Sequence, residues 1–288
     1  MDSSIARAPF TVIVPAYNEE AVIGRTLDHL LDGWKGETRP RIIVVCNGCH
    51  DRTADVARGF SQVEVVEIAT ASKSAAINAG LAQTRDFPVL VVDADIRIGA
   101  QALDALAGVL RQDGVMAASP SARFDTHRSS APVRAYYRVW STLGYLDSGV
   151  GGSGVYGLSE AGARALGALP PVIGDDTYVR WFFPLEQQRR LPADQSEATI
   201  EVPRRMFNLL ACEVRKQAGN RQLRALMTEP ADDKTRADAG RAPALSDAVI
   251  YYAVKLIGRL RLLKGRVTGA TTVWGRDLSS REAPGRGM

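Results

Sequence analysis

Short apolar runs alternate with helical periodicities over the first 112 residues of the chain. Uninterrupted aliphatic runs predict strands buried on both faces, as in a parallel sheet, whereas apolar residues at helical spacing predict amphipathic helices. Strands are predicted at 10–15, 41–46, 63–68 and 89–92, and helices at 21–31, 53–60, 73–84 and 101–112. This alternation predicts an α/β fold with a doubly wound, mainly parallel sheet, in which the more alternating run 63–68 lies near an edge.

The rhythm changes after residue 114. Further strands are predicted at 115–119 and 199–202, and helices at 131–146, at 207–228 and from Asp175 or Asp176 onward. The glycine-dense stretch 149–157 predicts a tight turn leading into a short strand, where backbone approaches a ligand. We therefore divide the chain into a main domain 1–228, with halves 1–114 and 115–228, a polar linker 229–245 and a C-terminal helix and tail 246–288.

The predicted C-terminal helix 246–264 is basic and amphipathic. Ser246 is expected to cap it, with Asp247 in the first turn and Gly265 closing it. Its apolar stripe is Val249, Ala253, Leu256, Leu260 and Leu263, and basic residues occupy much of the remaining surface. Such a helix either lies on an anionic membrane or covers the core of its own domain, and the pattern leaves both readings open.

Composition narrows the class of protein. With 288 residues, 45% hydrophobic and 24% charged, the chain resembles an ordinary globular protein. Three cysteines are too few for a disulfide framework, and the Cys46–Cys49 pair has no second pair with which to form a zinc site. We expect neither a signal peptide nor a transmembrane helix, hence a cytoplasmic protein, with a peripheral position at the inner face of the membrane as the alternative.

Charge is distributed unevenly along the chain. The net charge is +4, but residues 201–288 alone hold 17 Lys and Arg against 9 Asp and Glu. A basic C-terminal third favours a phosphate-rich or anionic-membrane partner. Nucleic acid is not predicted as a partner, because the basic residues are not interleaved with aromatic residues in a groove-reading or strand-binding pattern.

Two carboxylates follow the apolar run 89–92. Side chains alternate along a strand, so Asp93 and Asp95 are expected to project to the same side where the strand ends, which is where open α/β sheets bind ligands. Such a pair repels itself unless a cation offsets it, and Mg²⁺ or Mn²⁺ shared with substrate phosphates is the natural partner. The alternative reading is a solvated turn after a strand.

Polar residues also follow the other predicted strands. Asn18 and Glu19 come after the first strand, Asn47 and Asp51 after the second, and Lys73 begins the third helix. Asn18 by itself is a plausible helix cap, with acidic Glu19 and Glu20 in the first turn. Together, however, these groups suit a nucleoside diphosphate, because they offer donors and acceptors for a base, a lysine for charge and carboxylates for ribose and metal.

Five motifs carry a resemblance to a known family. They are PAYNE at 15–19, NGCHDRT at 47–53, KSAAINAG at 73–80, DAD at 93–95 and DD at 175–176. In order and spacing the chain resembles family 2 glycosyltransferases over roughly residues 10–225. The resemblance implies the GT-A fold and inverting transfer of a sugar from a nucleotide-sugar donor to an acceptor hydroxyl, with Mg²⁺ or Mn²⁺ as cofactor.

The resemblance also implies residue roles. Asp95 would hold the metal, Asp93 would face the ribose or nucleotide, and Asp176 would be the general base. Asn47 stands where the family has an aspartate that contacts the base, so guanosine donors stay as open as uridine donors. The implied donor-binding set is Pro15, Ala16, Tyr17, Asn18, Glu19, Asn47, Asp51, Lys73, Asp93, Ala94, Asp95, Arg215 and Arg221. We expect Gly152, Ser153 and Asp175 to contact the acceptor, which is a glycan, a lipid-linked precursor or a small molecule.

Two other classes of protein remain alternatives. A nucleotidyltransferase shares a sugar-nucleotide-binding sheet, but it would carry a glycine-rich basic loop after the first strand, unlike 15–19. A non-catalytic sugar-nucleotide-binding protein of the same fold is disfavoured because Asp176 is retained.

Overall fold

The computed structural model describes residues 9–34, 39–143, 146, 148–228 and 243–267. Two sheets form its frame. The larger has seven strands in the order β3-β2-β1-β4-β8-β6-β9, and the smaller has three in the order β5-β10-β7. The strands are β1 Thr11–Ala16, β2 Arg41–Asn47, β3 Val63–Ile68, β4 Val89–Val92, β5 Ile96–Arg97, β6 Ala117–Ser119, β7 Ser121–Asp125, β8 Val155–Leu158, β9 Gln188–Arg190 and β10 Glu197–Glu201.

Nine α-helices are described. They are α1 Ile23–Leu31, α2 Thr53–Arg58, α3 Lys73–Gln83, α4 Ala100–Leu110, α5 Ala131–Trp140, α6 Glu160–Leu166, α7 Asp175–Phe182, α8 Met206–Leu226 and α9 Leu245–Val267. Apolar side chains of α1, α2 and α4 pack on one face of the large sheet, and those of α3, α6 and α7 pack on the other. The doubly wound α/β prediction is therefore confirmed.

The first four strands of the large sheet are parallel, as their apolar runs predict. β1 pairs with β2 and β4, and β2 pairs with β3. All six residues of β1 and all four of β4 are buried, whereas the edge strand β3 exposes Glu64 and Glu67. β8 is antiparallel to both β4 and β6, so the glycine-dense stretch does lead into a short strand.

A third apolar cluster lies away from the large sheet. It joins α5, α8 and α9 through residues such as Tyr136, Leu209, Tyr251 and Val254. The Arg138 guanidinium donates to both carboxylate oxygens of Asp247 at 2.7 Å, which fixes the first turn of α9 against α5. The C-terminal helix therefore packs on its own domain, but through a face other than the predicted apolar stripe.

Several expectations about helix ends were wrong. Asn18 does not cap α1, which begins after Val22 and has no acidic residue in its first turn; Glu19 and Glu20 belong to the preceding loop. α5 ends at Trp140 rather than near 146. α9 begins at Leu245, so Ser246 is inside it, and Gly265 does not end it. Strands β5, β7 and β9 and helix α6 were not predicted.

Part of the predicted organisation lies outside the described residues. This holds for 229–242 of the linker and for 268–288 of the tail. Among the residues that the structure does describe, no helix has the length and apolar character needed to cross a membrane.

Candidate active site

An ion-paired cluster lies beyond the carboxyl end of β4. Lys73, the first residue of α3, places its Nζ 2.7 Å from Asp93 Oδ1 and 2.7 Å from Asp175 Oδ1. Asp93 directly follows β4 and Asp175 begins α7, so three separate elements meet at one ammonium group. The Asp175 side chain is only 4% exposed. A buried carboxylate requires a compensating cation, which Lys73 supplies.

The acidic groups of this cluster oppose one another. Burial raises the pKa of Asp93 to about 6; Lys73 acts to lower it, while the charges of Asp175 and Asp95 add to the rise. Burial disfavours the ammonium form of Lys73, but the charges of Asp175 and Asp93 outweigh it and raise the pKa of that lysine. This concentration of negative charge favours a site for cations.

Asp176 faces the glycine-dense loop from the first turn of α7. Its Oδ2 accepts a hydrogen bond from the Gly152 backbone N–H at 3.2 Å, and its Oδ1 accepts from the Thr177 N–H at 2.7 Å. Gln188 holds the same loop, since its Oε1 accepts from the Val150 N–H at 2.9 Å. The Asp176 carboxylate is thus held in a fixed orientation at the edge of a cavity.

Two cavities meet at the cluster. The smaller, about 120 Å³, lies over the exits of β1, β2 and β4. The larger, about 610 Å³, extends between α7 and the α5–α8–α9 bundle. The residues that line both cavities are Lys73, Asp93, Asp95, Ile173 and Arg215. The run 93–95 therefore stands at the boundary between two compartments.

Most of the predicted site residues are brought together. Those lining the smaller cavity are Pro15, Tyr17, Glu19, Asn47, Lys73, Asp93, Ala94, Asp95 and Arg215. Those lining the larger one include Gly152, Asp175 and Asp176. The predicted residues that line neither of these two cavities are Ala16, Asn18, Asp51, Ser153 and Arg221.

The residues outside the cavities have other contacts. Asp51 accepts from the Glu20 and Thr53 N–H groups and so braces the loop before α2. The Asn18 side chain accepts from the His50 N–H at 2.8 Å, with the Asn18 backbone at φ +50°. Ser153 is fully buried and donates to the Val155 carbonyl at 2.7 Å. These side chains shape the loops around the cavities, while Arg221 is exposed on α8.

Asn47 combines a structural and a lining position. With its amide oriented so that nitrogen and oxygen each meet a suitable partner, its side chain donates to the Ala16 carbonyl at 2.6 Å and accepts from the Ser72 N–H at 3.1 Å. It therefore ties the end of β1 to the start of α3 at the wall of the smaller cavity. Neighbouring Cys46 and Cys49 are free thiols. Burial and the adjacent Cys49 raise the pKa of Cys46 to about 12, which keeps it protonated and unreactive.

Some lining residues were missed by sequence reasoning. The buried Tyr156 ring faces the acidic cluster; burial and the charges of Asp175, Asp176 and Asp93 raise its pKa well above the usual range. The larger cavity is also lined by aromatic and basic residues of the helical bundle: Tyr137, Trp140, Lys216, Tyr251 and Lys255. The aromatic face of α5 is visible in the sequence, but nothing local places it beside α8 and α9.

A metal ion would depend on few protein ligands. Within the described residues, no three His, Cys, Asp or Glu side chains form a ready ligand set. Asp95 lies at the boundary of the two cavities, and hard divalent cations are commonly held by one or two carboxylates together with substrate phosphates and water. The site fits such a shared ion.

Residues 11–151 match the sequence profile described as glycosyl transferase family 2. The matched segment includes the exits of β1, β2 and β4 and the start of α3, and so contains almost all of the smaller cavity. Solved structures of similar fold are GT-A glycosyltransferases. Residues 11–151, just under half of the chain, therefore match glycosyl transferase family 2, and the chain has the GT-A fold.

One curated protein resembles part of this chain in sequence. The chain is 36% identical over 93 residues to the probable glycosyltransferase YdaM of Bacillus subtilis (strain 168). That match spans 30% of this chain and 22% of the relative, so only a minor part of the relative's length is matched.

Two solved structures illustrate the shared fold. The mannosyltransferase PcManGT from Pyrobaculum calidifontis, in complex with GDP-Man and Mn²⁺, is 20% identical with a TM-score of 0.63, covering 93% of this chain and 77% of that one. The glucosyl-3-phosphoglycerate synthase of Mycobacterium tuberculosis, in complex with Mn²⁺, UDP and glucosyl-3-phosphoglycerate, is 21% identical with a TM-score of 0.50, covering 78% and 81% respectively.

Proposed function

We propose that this protein is an inverting, metal-assisted glycosyltransferase that moves a sugar from a UDP- or GDP-sugar to an acceptor hydroxyl. The observation that carries the proposal is the position of the acidic cluster between two cavities, with Asp176 held at the edge of the larger one. A nucleotide would occupy the smaller cavity, and the acceptor would enter the larger. The main domain 1–228 would divide near residue 114 into these donor and acceptor halves.

Asp176 would act as the general base. In an inverting transfer, the acceptor oxygen attacks the anomeric carbon opposite the departing phosphate and must lose its proton in the same step. The Gly152 and Thr177 N–H groups hold the Asp176 carboxylate and fix its orientation. A transferred sugar should therefore change its anomeric configuration, which product NMR would show.

The donor's charge would be met by Lys73, Arg215 and a divalent ion at Asp95. Departure of a nucleoside diphosphate concentrates charge on phosphate oxygens, and a bound Mg²⁺ or Mn²⁺ would supply stabilisation of that charge. Arg215 lines both cavities and so stands where a diphosphate would cross between them. The Mn²⁺ complexes of the two solved structures support this reading.

The base test is Asp176→Asn. The variant keeps the shape of the side chain and a hydrogen-bond acceptor but loses the basic oxygen, so transfer should fall by roughly 10²–10⁴-fold. Binding of the donor nucleotide, measured by thermal shift with UDP or GDP and Mn²⁺, should be unchanged. Asp113→Asn, an exposed carboxylate far along the chain, is the matched control. Undiminished turnover in D176N would remove Asp176 as the base.

We place the acceptor at an anionic membrane surface. The face of α9 that points away from the domain exposes a run of large apolar side chains: Leu245, Val249, Tyr252, Leu256, Ile257, Leu260 and Leu263. Exposed Arg259, Arg261 and Lys264 accompany them. A helix with this division inserts its apolar side at the headgroup boundary and attracts anionic lipids. The protein would then be peripheral at the inner face of the membrane.

Vesicle flotation tests that placement. The double variant Leu256→Ser/Leu260→Ser should lose most binding to vesicles containing phosphatidylserine, since two side chains that are each 56% exposed leave the apolar face. Leu226→Ser, on α8 and 57% exposed, is the control and should keep binding. Deleting α9 is a poorer test, because Tyr251 and Val254 would leave the packed cluster. Equal flotation of all three proteins would refute the membrane site.

A further inference from the structure

A second charged cluster lines the larger cavity, on elements separate from the acidic one. It consists of Lys216 and Glu213 on α8, Lys255 on α9, and Trp140 and Tyr136 on α5. Both lysines and the tryptophan face the cavity. The proposed function above uses none of these side chains.

The cluster is arranged around one fully buried carboxylate. Glu213 accepts from Tyr136 Oη at 2.9 Å and from the Gln217 amide at 2.8 Å, and it lies 2.9 Å from Lys255 Nζ and 3.4 Å from Lys216 Nζ. Its hydrogen-bonding capacity is therefore satisfied by partners from all three helices. One lysine would be enough to neutralise it.

The second lysine leaves a surplus of positive charge at the cavity wall. Two ammonium groups and one carboxylate have a net charge of +1, and the neighbouring Arg215 adds another cation to the lining. Lys216 Nζ lies 3.3 Å from the centre of the Trp140 ring, and Lys255 Nζ lies 5.0 Å from it. An aromatic ring holds a cation in place without neutralising it.

The pKa of Lys216 also favours an anion site at this position. Burial lowers its pKa to about 8, with Lys255 adding to the fall, while Glu213 and Cys212 act in the opposite direction. Tyr136 on α5 donates to Glu213 and so carries no charge of its own. An anion placed against the two ammonium groups would restore the charged form of Lys216 and take up a proton.

We infer that the Lys216–Lys255–Trp140 wall of the larger cavity binds an anionic group, of the phosphate class, carried by the acceptor. That the anion belongs to the acceptor rests on the proposed function, whereas the anion site itself does not. A phosphate oxygen would accept from both ammonium groups in a charge-assisted contact. The phosphate would belong either to a lipid-linked acceptor or to a soluble sugar phosphate.

Calorimetric titration of the metal-free protein with inorganic phosphate and with farnesyl phosphate tests the site, with farnesol as the uncharged comparison. Lys216→Gln leaves Lys255 to neutralise Glu213, so the variant should fold, and its affinity for both phosphate probes should fall about tenfold. Glu213→Gln removes the carboxylate that repels an incoming anion, so it should tighten both when affinity is measured well below about pH 8, where Lys216 stays charged. Arg224→Gln, an exposed cation on the same helix α8, is the matched control and should behave as the unmodified protein.

A proton count separates this site from the donor site. In buffers of different ionisation enthalpy near pH 8, phosphate binding should take up protons in the unmodified protein and not in K216Q. If farnesyl phosphate binds much more tightly than inorganic phosphate, the acceptor is lipid-linked. If the two affinities are equal, the acceptor is soluble. Phosphate affinities unmoved by both K216Q and E213Q would overturn the inference, whatever the outcome for D176N.

Discussion

The two cavities of this protein are built in different ways. The smaller is lined almost wholly by residues up to position 95, at the exits of neighbouring parallel strands. The larger takes its lining from Lys73 through to Lys255, across α5, α7, α8 and α9. One compartment thus follows from the local order of strands and helices, and the other from the long-range packing of helices.

Under the proposed function, this difference would separate recognition of the donor from recognition of the acceptor. Parallel strands bring their exits to one sheet edge whatever the loops contain, so a nucleotide site there is a product of the fold. The shape and lining of a cavity between helices, by contrast, depend on each side chain that packs there. The matched family segment 11–151 includes most of the first compartment and only part of the second.

Lys73 joins the two compartments, and its loss should have the largest effect on stability. Lys73→Met leaves Asp93 and the buried Asp175 without their shared cation, which should cost about 3–5 kcal/mol in the free energy of unfolding, measured in urea. Arg58→Gln breaks an exposed pair with Glu67 and should cost no more than about 1 kcal/mol. Equal losses in the two variants would mean that the cluster is not a buried ion pair.

The packing of α5, α8 and α9 should be destabilised by a change at Tyr251, independently of the Lys73 cluster. This side chain is 8% exposed and stacks on Tyr136 with ring centres 5.1 Å apart, so Tyr251→Ala should cost about 3 kcal/mol. Adjacent Tyr252 is 69% exposed, and Tyr252→Ala should leave stability nearly unchanged while weakening vesicle binding. Thermal unfolding and flotation of the pair separate the two faces of α9, and the reverse pattern would contradict the described packing.

The smallest expected effect is a pH dependence of anion affinity. Lys216 has a pKa of about 8, below the ordinary lysine value, so it is charged below that pH and neutral above it. Sulfate, which does not titrate in this range, should bind up to about tenfold more weakly at about pH 9 than at about pH 7. K216Q should flatten the dependence. An affinity that rises with pH would have the wrong sign for this account.

The smaller cavity was largely predictable from the sequence. The apolar runs locate β1, β2, β3 and β4 within a few residues, and parallel pairing then brings Glu19, Asn47 and Asp95 to one edge. The predicted start of α1 was wrong because side-chain hydrogen bonds within the loop override the local helix propensity. Asn18 is a good helix cap by type, yet its side chain accepts from the His50 N–H across the loop, and the residue that precedes α1 is Val22, four positions later.

The larger cavity was predictable only as separate helices. The stripe Val249–Leu263 was found, but the same pattern suits burial and membrane contact equally, and packing uses Tyr251, Val254 and Lys255 instead. β5 has two residues and pairs with β10, about one hundred positions away, so no local periodicity reveals it. Lys73 was expected to meet phosphate, while its pairing with Asp175 depends on the start of α7 reaching β4.

The central claim, that the run 93–95 separates a nucleotide compartment from an acceptor compartment, is tested most directly by hydrogen–deuterium exchange. UDP and GDP, each with Mn²⁺, would be added to the full chain, and exchange followed along the backbone. The account predicts that the nucleotide which binds protects segments 15–20, 47–53 and 89–97, with no change in α5 or α9. Protection of α5 and α9 without any at 15–20 and 89–97 would contradict it.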